Sequence, residues 1–212
     1  MATYNREEEE KIEGIKAWWI KYGTIITIVL ATMVATIGAT QVWKYYQQLQ
    51  AQQAADLYAL LKQVQETGDS EKINDAAYLL TEGYPSSGYA PRAALIAAKA
   101  SVDAGDLQNA KQQLQWILDH AKEPEIRDLA RLRLSGILLD ENNYSEALRH
   151  LNSEHLDSFS GLYADLKGDV LLASGNKEEA RLSYQAAIDK LNKNNNYFNI
   201  VQMKLDALGE SE

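Results

Sequence analysis

Two short groupings in this chain hold residue types that could do chemistry. Ser174-Gly175-Asn176-Lys177 has the S-x-x-K spacing in which a lysine activates a serine for acyl transfer. His150, Glu154 and His155 could offer nitrogen and oxygen ligands to Zn²⁺. Both readings fail on context. The acyl-transfer serine must open a buried helix with partner motifs elsewhere, whereas Ser174 falls on a Gly-Asn turn. Two histidines five residues apart lie on different faces of a helix, and no H-E-x-x-H pattern occurs. Both groupings read as surface residues at turns between helices. No phosphate loop, nucleophile elbow or dinucleotide fingerprint is present. The chain has no cysteine, which excludes disulfides, thiolate metal sites and cysteine nucleophiles. The expectation is a non-enzymatic protein with no catalytic residue, cofactor or metal.

The elements that carry these residues read as helices throughout. Apolar residues recur at helical spacing in Leu49, Leu57, Leu60, Leu61 and Val64, and again in Ala110, Leu114, Ile117 and Leu118. Ile126, Leu129, Ala130, Leu134, Ile137 and Leu138 follow Pro124 at a plausible first helical position. Ala147, Leu148 and Leu151 form a shorter stripe, followed by Leu162, Tyr163, Leu166 and Val170, and then Ala180, Tyr184, Ala187 and Ile188. A last helix is expected from about Tyr197 to Ala207, with Val201, Leu205 and Leu208 inward. Ala90, Ala93, Ala94, Ala97, Ala100, Ser101 and Ala104 make one unusually small face. No segment alternates with period two, so no sheet is expected.

The turns repeat. Gly68-Asp69, Gly105-Asp106, Asn142-Asn143 and Gly175-Asn176 are offset by 37, 37 and 33 residues. An alanine follows three of them at a fixed place, as Ala110, Ala147 and Ala180. A period near 34 with a tight turn and a small residue early in the second helix is the tetratricopeptide signature. Gly168, Ala180, Tyr184 and Ala187 fit the consensus best, and the other copies are degenerate. Together with Ala110 and Ala147, these are the expected repeat-packing residues. A stack of this kind curves and leaves an inner surface lined by the first helix of each pair. Spacing places Arg92, Leu95, Lys99 and Val102, then Leu129, Leu132 and Leu139, then Asp165 and Asp169 on that surface as candidate partner-binding positions. Arg92 and Lys99 would be basic spots in an acidic domain.

Ahead of the repeats, residues 22–43 carry no charge over 22 positions. At about 1.5 Å per residue they form a helix long enough to cross a hydrocarbon core of about 30 Å. Trp18, Trp19 and Tyr22 flank one end, and Trp43, Tyr45 and Tyr46 the other, where amphipathic rings prefer the interface. The helix is expected to continue to about Glu66, capped at Gly68. A cleaved signal peptide is the rival reading, but the run is long, its leading segment is rich in Glu, and Thr36-Ile37-Gly38 is a poor cleavage site. Arg6, Lys11, Lys16 and Lys21 precede the run, while only Lys44 and Lys62 follow closely. The positive-inside rule then puts residues 1–21 in the cytoplasm, residues 22–43 in the membrane and residues 44–212 outside, which is the periplasm if the cell is Gram-negative. Within the run, Gly23, Thr27, Ala31, Ala35 and Ala39 recur every fourth residue as a ridge of small side chains that another transmembrane helix could pack against. A second copy, giving a homodimer, and a membrane partner remain open as its occupant.

The net charge is −9, from 21 basic and 30 acidic residues. Such a balance argues against nucleic acid as a partner, which wants a basic face. The fold class is all-α, a single N-terminal transmembrane helix followed by a tetratricopeptide-like solenoid of helical pairs.

The segment Leu162-Tyr163-Ala164-Asp165-Leu166-Lys167-Gly168-Asp169 precedes Gly175-Asn176-Lys177 and Ala180-Arg181. With Lys16-Ala17-Trp18-Trp19 and Val201-Gln202-Met203-Lys204-Leu205, it resembles the YfgM family of proteobacterial inner-membrane proteins. The likeness implies an ancillary subunit of the SecYEG translocon that works with a PpiD-like membrane-anchored periplasmic chaperone. It implies no catalytic residues. Tyr84-Pro85-Ser86-Ser87-Gly88-Tyr89-Ala90 also resembles a stretch of periplasmic tetratricopeptide proteins that coordinate envelope assembly. An inner-membrane scaffold is therefore the alternative, and a membrane-tethered signalling regulator acting through the tail a third.

Overall fold

The computed structural model describes residues 3–192 and 196–209. Among them there is no strand. Nine α-helices follow in order: α1 (Thr3–Gln65), α2 (Ser70–Gly83), α3 (Tyr89–Asp103), α4 (Leu107–His120), α5 (Pro124–Asp140), α6 (Tyr144–Leu151), α7 (Ser160–Ala173), α8 (Lys177–Lys190) and α9 (Asn196–Ala207). A single 3₁₀ turn, Asp157–Phe159, precedes α7. The chain divides into two units, Met1–Gln52 and Gln53–Glu212.

The first unit is helix alone. Ile25, Ile28, Met33 and Val34 lie exposed around its circumference. A helix that is apolar all round belongs in a core or a bilayer, and nothing in this unit covers it. It is long and apolar enough to cross a membrane. The threonines along it bond to their own backbone: Thr32 Oγ1 donates to the Ile28 carbonyl and Thr36 Oγ1 to the Thr32 carbonyl, each at 2.8 Å. Such bonding removes the cost of placing a hydroxyl in hydrocarbon.

The second unit stacks helix pairs, and its turns are built alike. Gly68, Gly105, Asn142 and Gly175 all adopt positive φ, at 70°, 81°, 58° and 88°. After α3, the Asp106 amide reaches back to the Ser101 carbonyl at 2.8 Å and Gly105 to Val102 at 3.0 Å. The same two bonds recur from Asn143 and Asn142 after α5, and from Asn176 and Gly175 after α7. This paired pattern is the Schellman motif, which satisfies the last carbonyls of a helix and reverses the chain. Asp106 then caps α4 by accepting from the Asn109 amide at 3.0 Å. The first turn differs: Gly68 bonds to Gln65, and the Asp69 amide takes the Thr67 hydroxyl instead.

Three clusters form the core. Ala54 and Leu61 of α1 pack with Ile73, Ala77 and Leu80 of α2 and with Ala93 and Ala97 of α3. The largest cluster joins α3 through α7, from Ala94 and Ala98 to Tyr163 and Val170. Leu171, Tyr184 and Val201 centre the third, across α7, α8 and α9. The alanines of α3, expected as one small face, are two: Ala93 and Ala97 face one cluster, while Ala94 and Ala98 face the next. A helix between two neighbours needs small residues on both sides so that both can approach.

First helices of successive pairs touch, α3 with α5 and α5 with α7. A stack of such pairs curves with its first helices inside. Among the glycines the tightest approach is at Gly168, where an added Cβ would sit 2.5 Å from the ring carbons of Tyr184. Gly136 in α5 has open space around its Cα. The Gly168→Ala variant is expected to lose about 1–3 kcal/mol through overpacking. The Gly136→Ala variant is expected to gain about 0.5–1 kcal/mol from helix propensity. Urea unfolding of the two variants checks both signs.

Candidate functional site

The inner helices were expected to present free cations. Arg92 instead makes a two-pronged pair with Glu123, at 3.0 and 2.7 Å. This bond holds the guanidinium pKa above its ordinary value and the Glu123 carboxyl below its own. The pair ties α3 to the residue that leads into α5. Lys99 pairs with Asp103 one turn on, at 2.5 Å. Leu95 is only 9% exposed and belongs to the core, so it is not a surface position. Leu129, Leu132 and Leu139 are half-buried against the central cluster. Val102, 41% exposed, remains open. Beside Lys99, a cleft of about 310 Å³ lies between the end of α1 and α3, walled by Gln65, Ser70 and Asp103 over Ile96 and Ala100.

Asp165 and Asp169 are also corrected. Asp165 is 2% exposed, and α9 lies over it. Lys204 of α9 donates to both Asp165 oxygens, at 2.9 and 3.0 Å, and to Asp169 Oδ2 at 2.7 Å. Tyr197 donates to Asp165, and Tyr184 to Asp169 Oδ1 at 2.8 Å. Burial would depress the Lys204 pKa, but the bonds to Asp169 and Asp165 outweigh it and hold it above the ordinary lysine range. Burial, followed by these carboxylates, pushes both tyrosines well above the usual phenol range. The two aspartates thus fasten α9 to α7, and Asp165 is closed to a partner while Asp169 stays partly exposed. Spacing in α7 could not reveal this, because Lys204 stands 35 and 39 residues away in sequence.

A second junction was also missed. Asp128, buried in α5, accepts from Arg131 Nη1 and from the Leu156 amide, both at 2.9 Å. Tyr163 Oη donates to the Asp128 carbonyl, and the His155 ring stacks on Tyr163 with centroids 4.0 Å apart. His155 is therefore part of a packed junction and not a free surface residue. His150 is 6% exposed, also against expectation. Its Nε2 lies 3.0 Å from Arg149 Nη2 and 3.4 Å from Glu146 Oε1. Burial and then Arg149 lower the His150 pKa. Ser174, of the S-x-x-K grouping, donates to the Leu171 carbonyl within the turn.

The repeat-packing set lies where helices meet. Ala110, Ala147, Ala180, Tyr184 and Ala187 are buried, as is Gly168. In the first unit Ala31, Ala35 and Ala39 are exposed. Gly23 is covered by its own Trp19 ring, and the Thr27 hydroxyl donates to the Thr24 carbonyl.

Paired helices with Schellman turns, small residues at their crossings and an inward row of first helices define a tetratricopeptide-like protein, here with one apolar membrane-length helix. The family model of a tetratricopeptide repeat-like domain matches residues 16–210. A Neisseria gonorrhoeae protein named ancillary SecYEG translocon subunit is 30% identical over 95% of this chain and 97% of its own length. Proteins of the same name from Haemophilus influenzae and Escherichia coli are 30% and 24% identical, over 87% and 89% of this chain and 90% of their own lengths. The chain belongs to this family, the YfgM family of ancillary SecYEG translocon subunits. No solved structure matches it.

Removing the α9 ammonium as Lys204→Met leaves two carboxylates without their cation and is expected to cost about 3 kcal/mol, read by urea unfolding. His150 has a folded pKa below its unfolded value of 6.5. The unfolded chain binds more protons in that interval, so the contribution is complete above about pH 6.5 and is lost as pH falls through the folded pKa. Wild type should lose more stability between about pH 7 and pH 5 than His150→Gln does.

Proposed function

We propose that this protein is a non-enzymatic accessory subunit of the SecYEG translocon, held beside the channel by its single apolar helix. The observation that carries this reading is the near-full-length match to proteins of that name, on a chain with one uncharged stretch of membrane length. Residues 1–21 form a cytoplasmic tail, residues 22–43 the anchor and residues 44–212 a periplasmic domain. Four basic residues before the anchor, against Lys44 and Lys62 soon after it, support that orientation. The domain's role is to bring emerging chains to a PpiD-like membrane-anchored chaperone, a step whose support is the family resemblance. The ridge of Gly23, Thr27, Ala31, Ala35 and Ala39 is the proposed packing face, with a channel helix, a chaperone helix or a second copy as occupant. Of these, Ala31, Ala35 and Ala39 offer the closest approach, being small and uncovered. On the domain, Lys99 at the α1–α3 cleft and the exposed Val102, with Arg92, Leu129, Leu132 and Leu139 along the inner row, are the proposed partner-facing positions.

In-cell photocrosslinking from residues 31, 35 and 39 is expected to yield adducts with SecY or with a membrane-anchored chaperone. Adducts only with itself or with envelope-assembly proteins would overturn the translocon reading and favour the scaffold. Because the chain has no cysteine, an Asp119→Cys variant gives a single label site. A membrane-impermeant maleimide should modify it in cells with a permeabilised outer membrane and an intact inner one. Labelling only after lysis would reverse the assigned orientation.

A further inference from the structure

Most glycines of the helical stack have a structural reason. Gly68, Gly105 and Gly175 hold positive φ at turns, and an added Cβ at Gly161 or Gly168 would strike Leu191 or Tyr184. Gly136 has neither reason. It lies inside α5, its φ is not positive, and an added Cβ would meet nothing within 4 Å. A glycine within a helix weakens it relative to alanine, and no neighbour in this chain requires one there. Its position is what stands out. Leu129, Leu132, Arg133, Gly136 and Leu139 share one face of α5 by helical spacing, and that face is the inner row.

Arg133 also lacks what its counterparts have. Arg92, Arg131, Arg149 and Arg181 each stand beside a carboxylate. Arg133 pairs with no acid among the described residues, and its hydrogen bond is a long one, from Nη1 to the Leu95 carbonyl of α3 at 3.4 Å. Its side chain is exposed, yet partial burial with no counter-charge holds its pKa below the ordinary guanidinium value.

We propose that the inner face of α5 receives an extended segment of a protein partner, whose backbone passes over Gly136 and whose single acidic side chain pairs with Arg133. A helix position without a Cβ lets a ligand backbone come close. The guanidinium fork matches a carboxylate, and the unmet charge beside Gly136 selects one. Leu129, Leu132 and Leu139, half-buried around the gap, offer contact to apolar side chains on either side of the acid. A partner helix is a poorer fit. Helices in this stack meet across small residues on successive turns, as at Ala93 and Ala97 or Ala94 and Ala98. Gly136 is a single gap, with Leu132 one turn before it and Asp140 one turn after. The chain carries −9 overall, so a segment dense in carboxylates would be repelled, whereas one acid among apolar residues is not. This assignment rests on the proposed role of the inner row as partner-facing and on nothing at the anchor.

The full chain in detergent, with a fluorescein-labelled Ser-Leu-Glu-Leu-Ser peptide followed by anisotropy, tests it, and Ser-Leu-Gln-Leu-Ser is the comparison. The Glu peptide should bind about tenfold more tightly than the Gln peptide, and Arg133→Gln should erase that preference. Gly136→Leu should abolish binding of both with the melting temperature unchanged or raised, because the new side chain enters open space and favours the helix. Equal binding of the two peptides, binding of neither, a preference that survives Arg133→Gln, or full binding by Gly136→Leu would each overturn the proposal. The peptide comparison uses the wild-type chain, so it decides even where a variant is destabilised. SecY adducts from the anchor without peptide binding would remove this assignment alone. Peptide binding without those adducts would remove the translocon reading alone.

Discussion

No helix pair in this domain can close a core by itself, and the rest of its structure depends on that constraint. Each apolar cluster draws on at least three helices, and the central one on five. A repeat buries its face only by stacking, so stability runs along the chain from neighbour to neighbour. The approach distance at each crossing is then set by its smallest residues. Ala93 and Ala97 on one side of α3, with Ala94 and Ala98 on the other, let two neighbours close on the same helix. Gly168 does the same for the Tyr184 ring.

The stack must also end somewhere. The outer face of the last full pair would expose Leu171 and the apolar side of α8, and it is covered by Val201 of α9 and by Leu208 just beyond it. Packing alone is modest for so short a helix. The Lys204 ammonium, held by two carboxylates, adds direction: three charge-assisted bonds orient α9. The cations elsewhere are used in a similar way. Arg92 joins α3 to the start of α5, Lys111 joins α4 to the end of α5, and Arg131 steadies the Asp128 junction. Several of the chain's cations thus serve as ties between its own helices.

Inside the stack, first helices pack against one another, and their leucines Leu129, Leu132 and Leu139 are drawn half into the core.

Much of this architecture was legible in the chain itself. The uncharged run, the helical stripes and the four turns at Gly68, Gly105, Asn142 and Gly175 depend on local physics. Helix ends need a left-handed residue, and an apolar face must recur with the helical period, so each leaves its mark within a few positions. The small residues Ala110, Ala147, Gly168 and Ala180 were equally readable, because close crossings tolerate little else. The state of the charges was not. Asp165, Asp169 and Arg92 all looked like exposed inner-surface groups, and His150 and His155 like surface histidines. Their partners either lie some thirty residues off, as Glu123 and Lys204 do, or become decisive only once burial has removed water. The sequence alone determined which segments are helices, where they turn and that one is suited to a bilayer. Only the tertiary structure decided which charged side chains remain free to meet a partner, because ion pairing depends on distances that exist only after the helices have stacked.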